Sequence, residues 1–147
     1  MSKAIILLAI LLVSCSTQEI KLEVVRKTSD LLQCEIIFGY DEKHLYEENG
    51  ILIQVGVIDT TTEQSPIKAA IVNIDKTEIV LNLKSDSIFG DRTIQNYSDG
   101  SYSLILDFVD KKNGGNSNSN VYHSICTITQ RNLSSRYELV GISNPNL

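Results

Sequence analysis

Four oxygen-bearing side chains lie close together in one part of this sequence. Asp86, Asp91, Asn96 and Asp99 fall in a single segment that also contains two Asp/Gly pairs. Calcium takes six to eight oxygen ligands at about 2.4 Å, so the segment carries the right atom type for a calcium site. Glycine-flanked aspartates also form tight turns, and their spacing here is not that of an EF-hand. We therefore interpret them as turn residues, with calcium as the alternative and no other cofactor expected.

Thiols and imidazoles are the other groups that could carry chemistry. The chain has three cysteines, Cys15, Cys34 and Cys126, and two histidines, His44 and His123. No two of these lie at a zinc-ligand spacing, since such sites need closely spaced pairs. The sequence also lacks a Gly-x-Ser-x-Gly elbow, a His-Glu-x-x-His pair and a phosphate-binding glycine loop. We predict no catalytic residues and a protein that is not an enzyme.

The start of the chain indicates export. An apolar run of ten residues, Ala4 to Val13, follows Lys3. A transmembrane helix needs about 20 residues, so this run has the length of a signal peptide. Leu12-Val13-Ser14-Cys15 resembles the lipobox of bacterial lipoproteins. That resemblance implies a signal peptide over residues 1–14, diacylglycerol and palmitate on Cys15, and a tether over residues 15–19. The alternative is an ordinary cleaved signal with a chance cysteine.

Ser16 and the bulk charge refine the predicted location. In lipoproteins of the enteric type, aspartate after the lipidated cysteine favours the inner membrane. The serine here therefore implies a lipid anchor in the outer membrane of the cell envelope. Residues 16–19 reach about 14 Å when extended, so the body should stay close to the lipid surface. A formal net charge of −5 argues against nucleic acid as a partner.

Lipidation of Cys15 would leave Cys34 and Cys126 for a possible disulfide. The envelope is oxidising, so a bond is permitted. Both cysteines lie at positions that alternation assigns to the core, which pairing requires. The alternative is two buried thiols that act as small apolar side chains.

The rest of the chain alternates apolar and polar residues, the period of half-buried strands. Residues 20–143 are predicted as one all-β domain, with a C-terminal tail at 144–147. Residues 41–49 are predicted as a loop or a single helical turn, and residues 110–120 as a flexible loop. The pattern predicts an antiparallel two-sheet immunoglobulin-like sandwich, with a closed barrel as the alternative. The eight predicted strands cover residues 20–25, 31–38, 51–58, 67–74, 78–83, 101–109, 121–129 and 137–142.

The aspartate-containing segment supports the sandwich by resemblance. Asp86, Gly90-Asp91 and Asp99-Gly100-Ser101-Tyr102 resemble a motif of immunoglobulin-like or fibronectin-like domains of bacterial surface proteins. The resemblance implies a turn region between two strands of a sandwich. The residues themselves add that a tyrosine just inside the strand can bury its ring and donate its hydroxyl to turn backbone, so Tyr102 is our candidate for a tyrosine corner.

Three functions remain open at this point. The first is a membrane-anchored, non-catalytic binding or accessory lipoprotein of the envelope, with a protein or a glycan as its partner. The second is an envelope immunity or inhibitor protein that blocks a toxin or a hydrolase. The third is an enzyme, which would need a cleft with converging polar groups.

Overall fold

The alternating segments fold into strands that follow one another in a simple meander. A computed structural model describes residues 18–26, 33–58, 65–111 and 119–143. Alternation with β-branched residues favours this outcome, because one face of each strand can be buried while the other stays in water. The elements are β1 (Leu22–Glu23), β2 (Gln33–Gly39), α1 (Glu42–Tyr46), β3 (Ile53–Ile58), β4 (Ile67–Ile74), β5 (Thr77–Phe89), β6 (Arg92–Ser98), β7 (Tyr102–Lys111), β8 (Val121–Gln130) and β9 (Leu133–Ser143).

The strands β2 to β9 form a closed antiparallel barrel of eight strands. Each pairs with the next along the chain, and β9 returns to β2 over Ile36↔Ser143 to Gly39↔Val140. The predicted immunoglobulin-like sandwich is therefore wrong. Both architectures bury one face of every strand, so alternation alone does not separate them. The pairing of β9 with β2 decides between the two architectures, because it closes the sheet.

One strand of the barrel was missed, and this explains the wrong architecture. The sequence places a turn region between residues 83 and 101, whereas β5 continues to Phe89 and β6 occupies Arg92–Ser98. Gly90 and Asp91 form a two-residue hairpin turn, and Gly90 has φ +66°. Glycine with positive φ at the first turn position suits a type II′ hairpin. The resemblance to the surface-protein motif thus reflected two hairpin turns of a barrel.

Large apolar side chains fill the barrel interior. Phe38 is fully buried and meets Phe108 edge-on, with the ring centroids 5.7 Å apart. Phe108 meets Tyr122 in the same manner at 5.3 Å. Tyr102 packs against this cluster. Such stacking contributes beyond the burial of area alone. The buried interior residues also include Val55, Val72, Leu81, Tyr97, Leu104, Leu106, Cys126, Ile128 and Leu139.

A second apolar cluster lies on the outside of the barrel wall under α1. Leu45 is 1% exposed and packs with Ile37, Ile51 and Ile142. Asp41 caps the helix, because its carboxylate accepts a hydrogen bond of 2.9 Å from the His44 N–H. The predicted single helical turn within residues 41–49 is confirmed.

The strand directions define two poles. The N-terminal pole holds Gln18 and the turns at 75–76, 99–101 and 131–132. Two hydrogen bonds fix the chain there: Ser135 Oγ accepts from the Ile20 N–H, and the Tyr137 hydroxyl donates to the Ile20 carbonyl. The hairpin pole, at the other end of the strands, holds the Gly90-Asp91 turn. The first described residue and this hairpin tip therefore lie at opposite ends of the barrel.

Candidate functional site

The tip of the β5–β6 hairpin projects beyond the part of the wall that β4 covers. β4 pairs with β5 only from Ile74↔Thr77 to Ala69↔Asn82, whereas β6 pairs with β5 as far as Phe89. β4 begins directly after Pro66, which has no N–H to donate. In the described part of the chain, no strand pairs with residues 83–89 on the β4 side. This projecting end is called the hairpin tip, defined as residues 85–92.

Two apolar side chains stand in water at the hairpin tip. Ile88 is 71% exposed and Phe89 is 64% exposed, the two highest values among the large apolar side chains of the described residues. They are neighbours in a strand, so they point to opposite faces of the hairpin. An apolar group therefore stands in water on each face of the hairpin tip, which makes the tip a candidate contact site.

Polar contacts along both strands hold the hairpin tip in place. The Arg92 guanidinium donates two hydrogen bonds to the Asp107 carboxylate, of 2.8 Å from Nε and 2.6 Å from Nη2. On the outer face, Asn96 Nδ2 donates to Ser85 Oγ at 2.6 Å. A two-pronged guanidinium–carboxylate pair fixes orientation as well as distance. The tip is therefore a pre-ordered element of the barrel.

A chain of hydrogen bonds joins the exposed tip to the buried interior. The Tyr97 hydroxyl donates to Gln95 Oε1 at 2.7 Å, and Gln95 Nε2 donates to Asp86 Oδ2 at 3.3 Å. Burial raises the pKa of the Tyr97 hydroxyl far above its ordinary value, and the Asp86 charge adds to the shift. Tyr97 therefore stays protonated and keeps its donor role.

Replacement of Asp107 by asparagine should weaken the hairpin tip in a pH-dependent way. The hydrogen bonds from Arg92 hold the pKa of Asp107 below its ordinary 3.8. The stabilisation is therefore fully present above pH 3.8 and disappears as pH falls through the lower folded value. We expect melting temperatures about 2 °C apart at neutral pH, because the pair is partly exposed, and a difference that shrinks as the pH falls below 3.8. A difference in melting temperature between the wild type and the variant that stays the same at all pH values would contradict this role.

The four residues of the alternative calcium site do not come together. Asp86 accepts from Gln95 and Asn96 donates to Ser85, both within the hairpin. Asp91 lies in the turn at the hairpin pole. Asp99 lies in the β6–β7 turn at the N-terminal pole and accepts from the Ser101 and Tyr102 N–H groups at 2.8 and 2.7 Å. β6 separates Asp91 from Asp99 by about 27 Å of strand, so one ion cannot bind both.

The two cysteines of the body pack in different clusters. Cys126 is fully buried in the barrel interior, whereas Cys34 packs against the outer cluster under α1. A bulge between Cys34 and Ile36 shifts the register by one residue and turns Cys34 outward. The prediction that both point into one core, which the possible disulfide requires, is therefore wrong.

Cys126 should resist alkylation in the folded protein. Burial raises the pKa of its thiol to about 12, and no part of the side chain reaches solvent. Because the thiolate is the reactive form, we expect iodoacetamide at pH 8 to modify Cys126 at least about 100-fold faster in urea than in buffer. Peptide mass spectrometry measures both rates. Equal rates would show that the interior opens readily.

The remaining candidate residues have local roles. His44 Nδ1 lies 2.7 Å from the Asp41 carboxylate at the start of α1, and His123 pairs with Val109 and Val140 in the wall. Among the described residues, no group of three or more His, Cys, Asp or Glu is placed to hold a metal ion. Cys15, the predicted lipidation site, lies outside the described residues, as does most of the predicted loop at 110–120. No described helix is long and apolar enough to span a membrane.

Neither a scan against protein-family models nor searches of the curated proteins and of the solved structures finds a similar protein.

Proposed function

We propose that this protein is a lipid-anchored, non-catalytic binding lipoprotein of the bacterial cell envelope, with the hairpin tip as its binding face. The observation that carries the proposal is the exposure of Ile88 and Phe89 at the pole opposite Gln18. Cys15 is three residues before Gln18, which is at most about 10 Å of chain. An anchor at Cys15 therefore holds the N-terminal pole against the lipid and leaves the hairpin tip facing away from it.

The length of β5 supports this arrangement. The strand has thirteen residues, so its ends are about 40 Å apart along the strand. Barrel strands tilt by about 40°, which leaves about 30 Å along the barrel axis. A partner outside the headgroup layer can therefore meet Phe89 without a flexible stalk. Apolar and aromatic anchors of this kind supply most of the affinity in protein interfaces.

The anchor is tested by metabolic labelling. Cells that express the full chain are fed a palmitate analogue, and the Cys15→Ser variant is the control. We expect label on the wild type and none on the variant, because the thioether forms at that sulfur. Unlabelled wild-type protein would overturn the anchored part of the proposal.

The binding face is tested by photo-crosslinking in living cells. A benzophenone amino acid replaces Phe89 in one strain and Ile105 in another. Ile105 is a matched control, because it is apolar and 40% exposed on the barrel wall. We expect a discrete adduct from position 89 and none from position 105. Equal adducts from both positions, or none from position 89, would remove the hairpin tip as the binding face.

A second candidate function is an inhibitor or immunity protein. The two exposed apolar side chains at the projecting end of β5 favour it, because such an end fits the cleft of a hydrolase or toxin. In that case the crosslinked partner is an enzyme, and purified barrel protein lowers its turnover at a one-to-one ratio. The Ile88→Ser, Phe89→Ser double variant then leaves the turnover unchanged.

A further inference from the structure

The hairpin tip has an open strand edge as well as exposed side chains. On one side, β5 pairs with β6 as far as Phe89. On the other side, the pairing of β5 with β4 stops at the Ala69↔Asn82 pair. Residues along a strand point their N–H and C=O groups to alternate sides. Within the described ranges, no strand pairs with the groups that residues 85–89 point to the β4 side. Every residue from Lys84 to Asp91 is exposed.

We infer that this edge binds an extended segment of a second envelope protein as an added strand. The inference rests on the proposed function and specifies how the hairpin tip holds its partner. A row of unpaired backbone donors and acceptors is matched best by another strand, as in other cases of strand addition. The incoming segment would occupy the lane that β4 vacates at Pro66, and Ile88 and Phe89 would flank it on the two faces.

Features of β5 limit the edge to residues 85–89. A bulge between Leu83 and Ser85 and the charge of Lys84 stand at its lower end, and both discourage pairing. Above them the strand has no proline or glycine before Gly90. Five residues are close to the usual length of a strand in a sheet. The edge is thus protected at the bulge and Lys84, and it is open from residue 85 to residue 89.

Charge gives the chemistry of the added segment. Asp86 is the second residue of the open edge, and the whole chain has a net charge of −5. An added strand with a lysine or arginine opposite that position would meet the Asp86 carboxylate. Apolar residues at alternate positions would cover Ile88 or Phe89. The segment is therefore extended, free of proline, and carries a basic residue opposite Asp86.

A second copy of this chain does not fit the edge while both copies are anchored. Proteins held in one leaflet by the same N-terminal pole point their β5 strands in the same direction. An antiparallel two-fold pair of β5 edges would place the two N-terminal poles at opposite ends. The anchor therefore excludes that dimer, and the occupant is a different protein.

The test uses lipidated full-length protein in detergent and a defined peptide probe. The probe has nine residues, valine alternating with threonine around a central lysine, and alternate amides are N-methylated so that one edge alone can pair. The control peptide is N-methylated at every amide. We expect the control to bind at least about tenfold more weakly, because several ladder hydrogen bonds are lost. Hydrogen exchange should show protection by the probe at residues 85–89.

Two proline variants supply the matched control on the protein side. Asp86→Pro and Ser87→Pro remove neighbouring N–H groups that point to opposite sides of β5. The variant whose lost N–H faces the open edge should keep the melting temperature and abolish probe binding. The variant whose lost N–H faces β6 should open the hairpin. If both variants unfold, hydrogen exchange of the wild type with the probe bound still shows whether residues 85–89 are protected. Equal binding of both peptides, or protection outside residues 85–89, would overturn the inference.

The inference can fail while the proposed function stands. Strand addition is excluded if the tolerated proline variant keeps the crosslink from position 89 and Ile88→Ser, Phe89→Ser loses it. The hairpin tip then binds through its side chains alone. Dimers of the anchored protein that the tolerated proline variant prevents would also overturn the assignment of the occupant.

Discussion

Replacement of Phe38 by alanine is expected to lower the free energy of unfolding by about 3–5 kcal/mol. Phe38 has no solvent exposure and its ring meets Phe108 at 5.7 Å. Gly141 lies directly beneath the ring, since a Cβ at that residue would fall 2.5 Å from Phe38 Cε1. The ring therefore fills space at the β2–β9 seam where the barrel closes. Its removal leaves a cavity that the closed wall cannot collapse around.

Phe89→Ala is the matched control for this prediction. It is the same substitution at a phenylalanine that is 64% exposed at the hairpin tip. We expect a change within about 0.5 kcal/mol, because little burial is lost. Urea unfolding followed by circular dichroism measures both variants, with the midpoint compared at constant slope. Similar losses for the two variants would contradict the closed barrel with Phe38 in its interior.

Replacement of Gly56 by alanine is expected to cost at least about 3 kcal/mol, the upper end for overpacking. The bulge in β2 brings its backbone against β3, so a Cβ at Gly56 would lie 2.0 Å from the Gln33 carbonyl oxygen. Backbone cannot yield as a flexible side chain does, and the β2–β3 ladder must open.

Gly100→Ala separates this clash from glycine effects in general. Gly100 has φ +95°, and a Cβ there would meet nothing within 4 Å. Its cost is backbone strain alone, about 1–2 kcal/mol. The same urea experiment compares the variants. If Gly56→Ala is no less stable than Gly100→Ala, the close approach of β2 to β3 is wrong.

Class and elements followed from the sequence because alternation is a local property. The strands at residues 67–74 and 121–129 are at or within a residue of their predicted places, and the helix lies within the predicted range 41–49. The missed strand β6 has weaker alternation, with Gln95 and Tyr97 on the inner face in place of aliphatic residues. The Gly90-Asp91 pair is a hairpin signal. Because Asp86 and Asp99 also favour turns, the whole segment between residues 83 and 101 was interpreted as one turn region.

Closure of the barrel and the contents of the site depend on long-range pairing. A single bulge at Cys34 moved that side chain to the other face, and no local pattern announces such a bulge. The exposure of Ile88 and Phe89 depends on how far along β5 the pairing with β4 extends. That extent is set by the register between the two strands. Pro66 is the residue from which that ending could have been inferred.

The central claim is that the anchor and the hairpin tip lie at opposite poles, and depth in a membrane tests it most directly. The lipidated chain with Cys34→Ser is labelled with a fluorophore at Phe89→Cys or at Arg131→Cys, and it is reconstituted in vesicles with nitroxide-labelled headgroups. Arg131 lies in the β8–β9 turn at the N-terminal pole. We predict strong quenching at position 131 and almost none at position 89, which stands about 30 Å higher. Strong quenching at position 89 would contradict the account, because the apolar tip would then lie in the lipid.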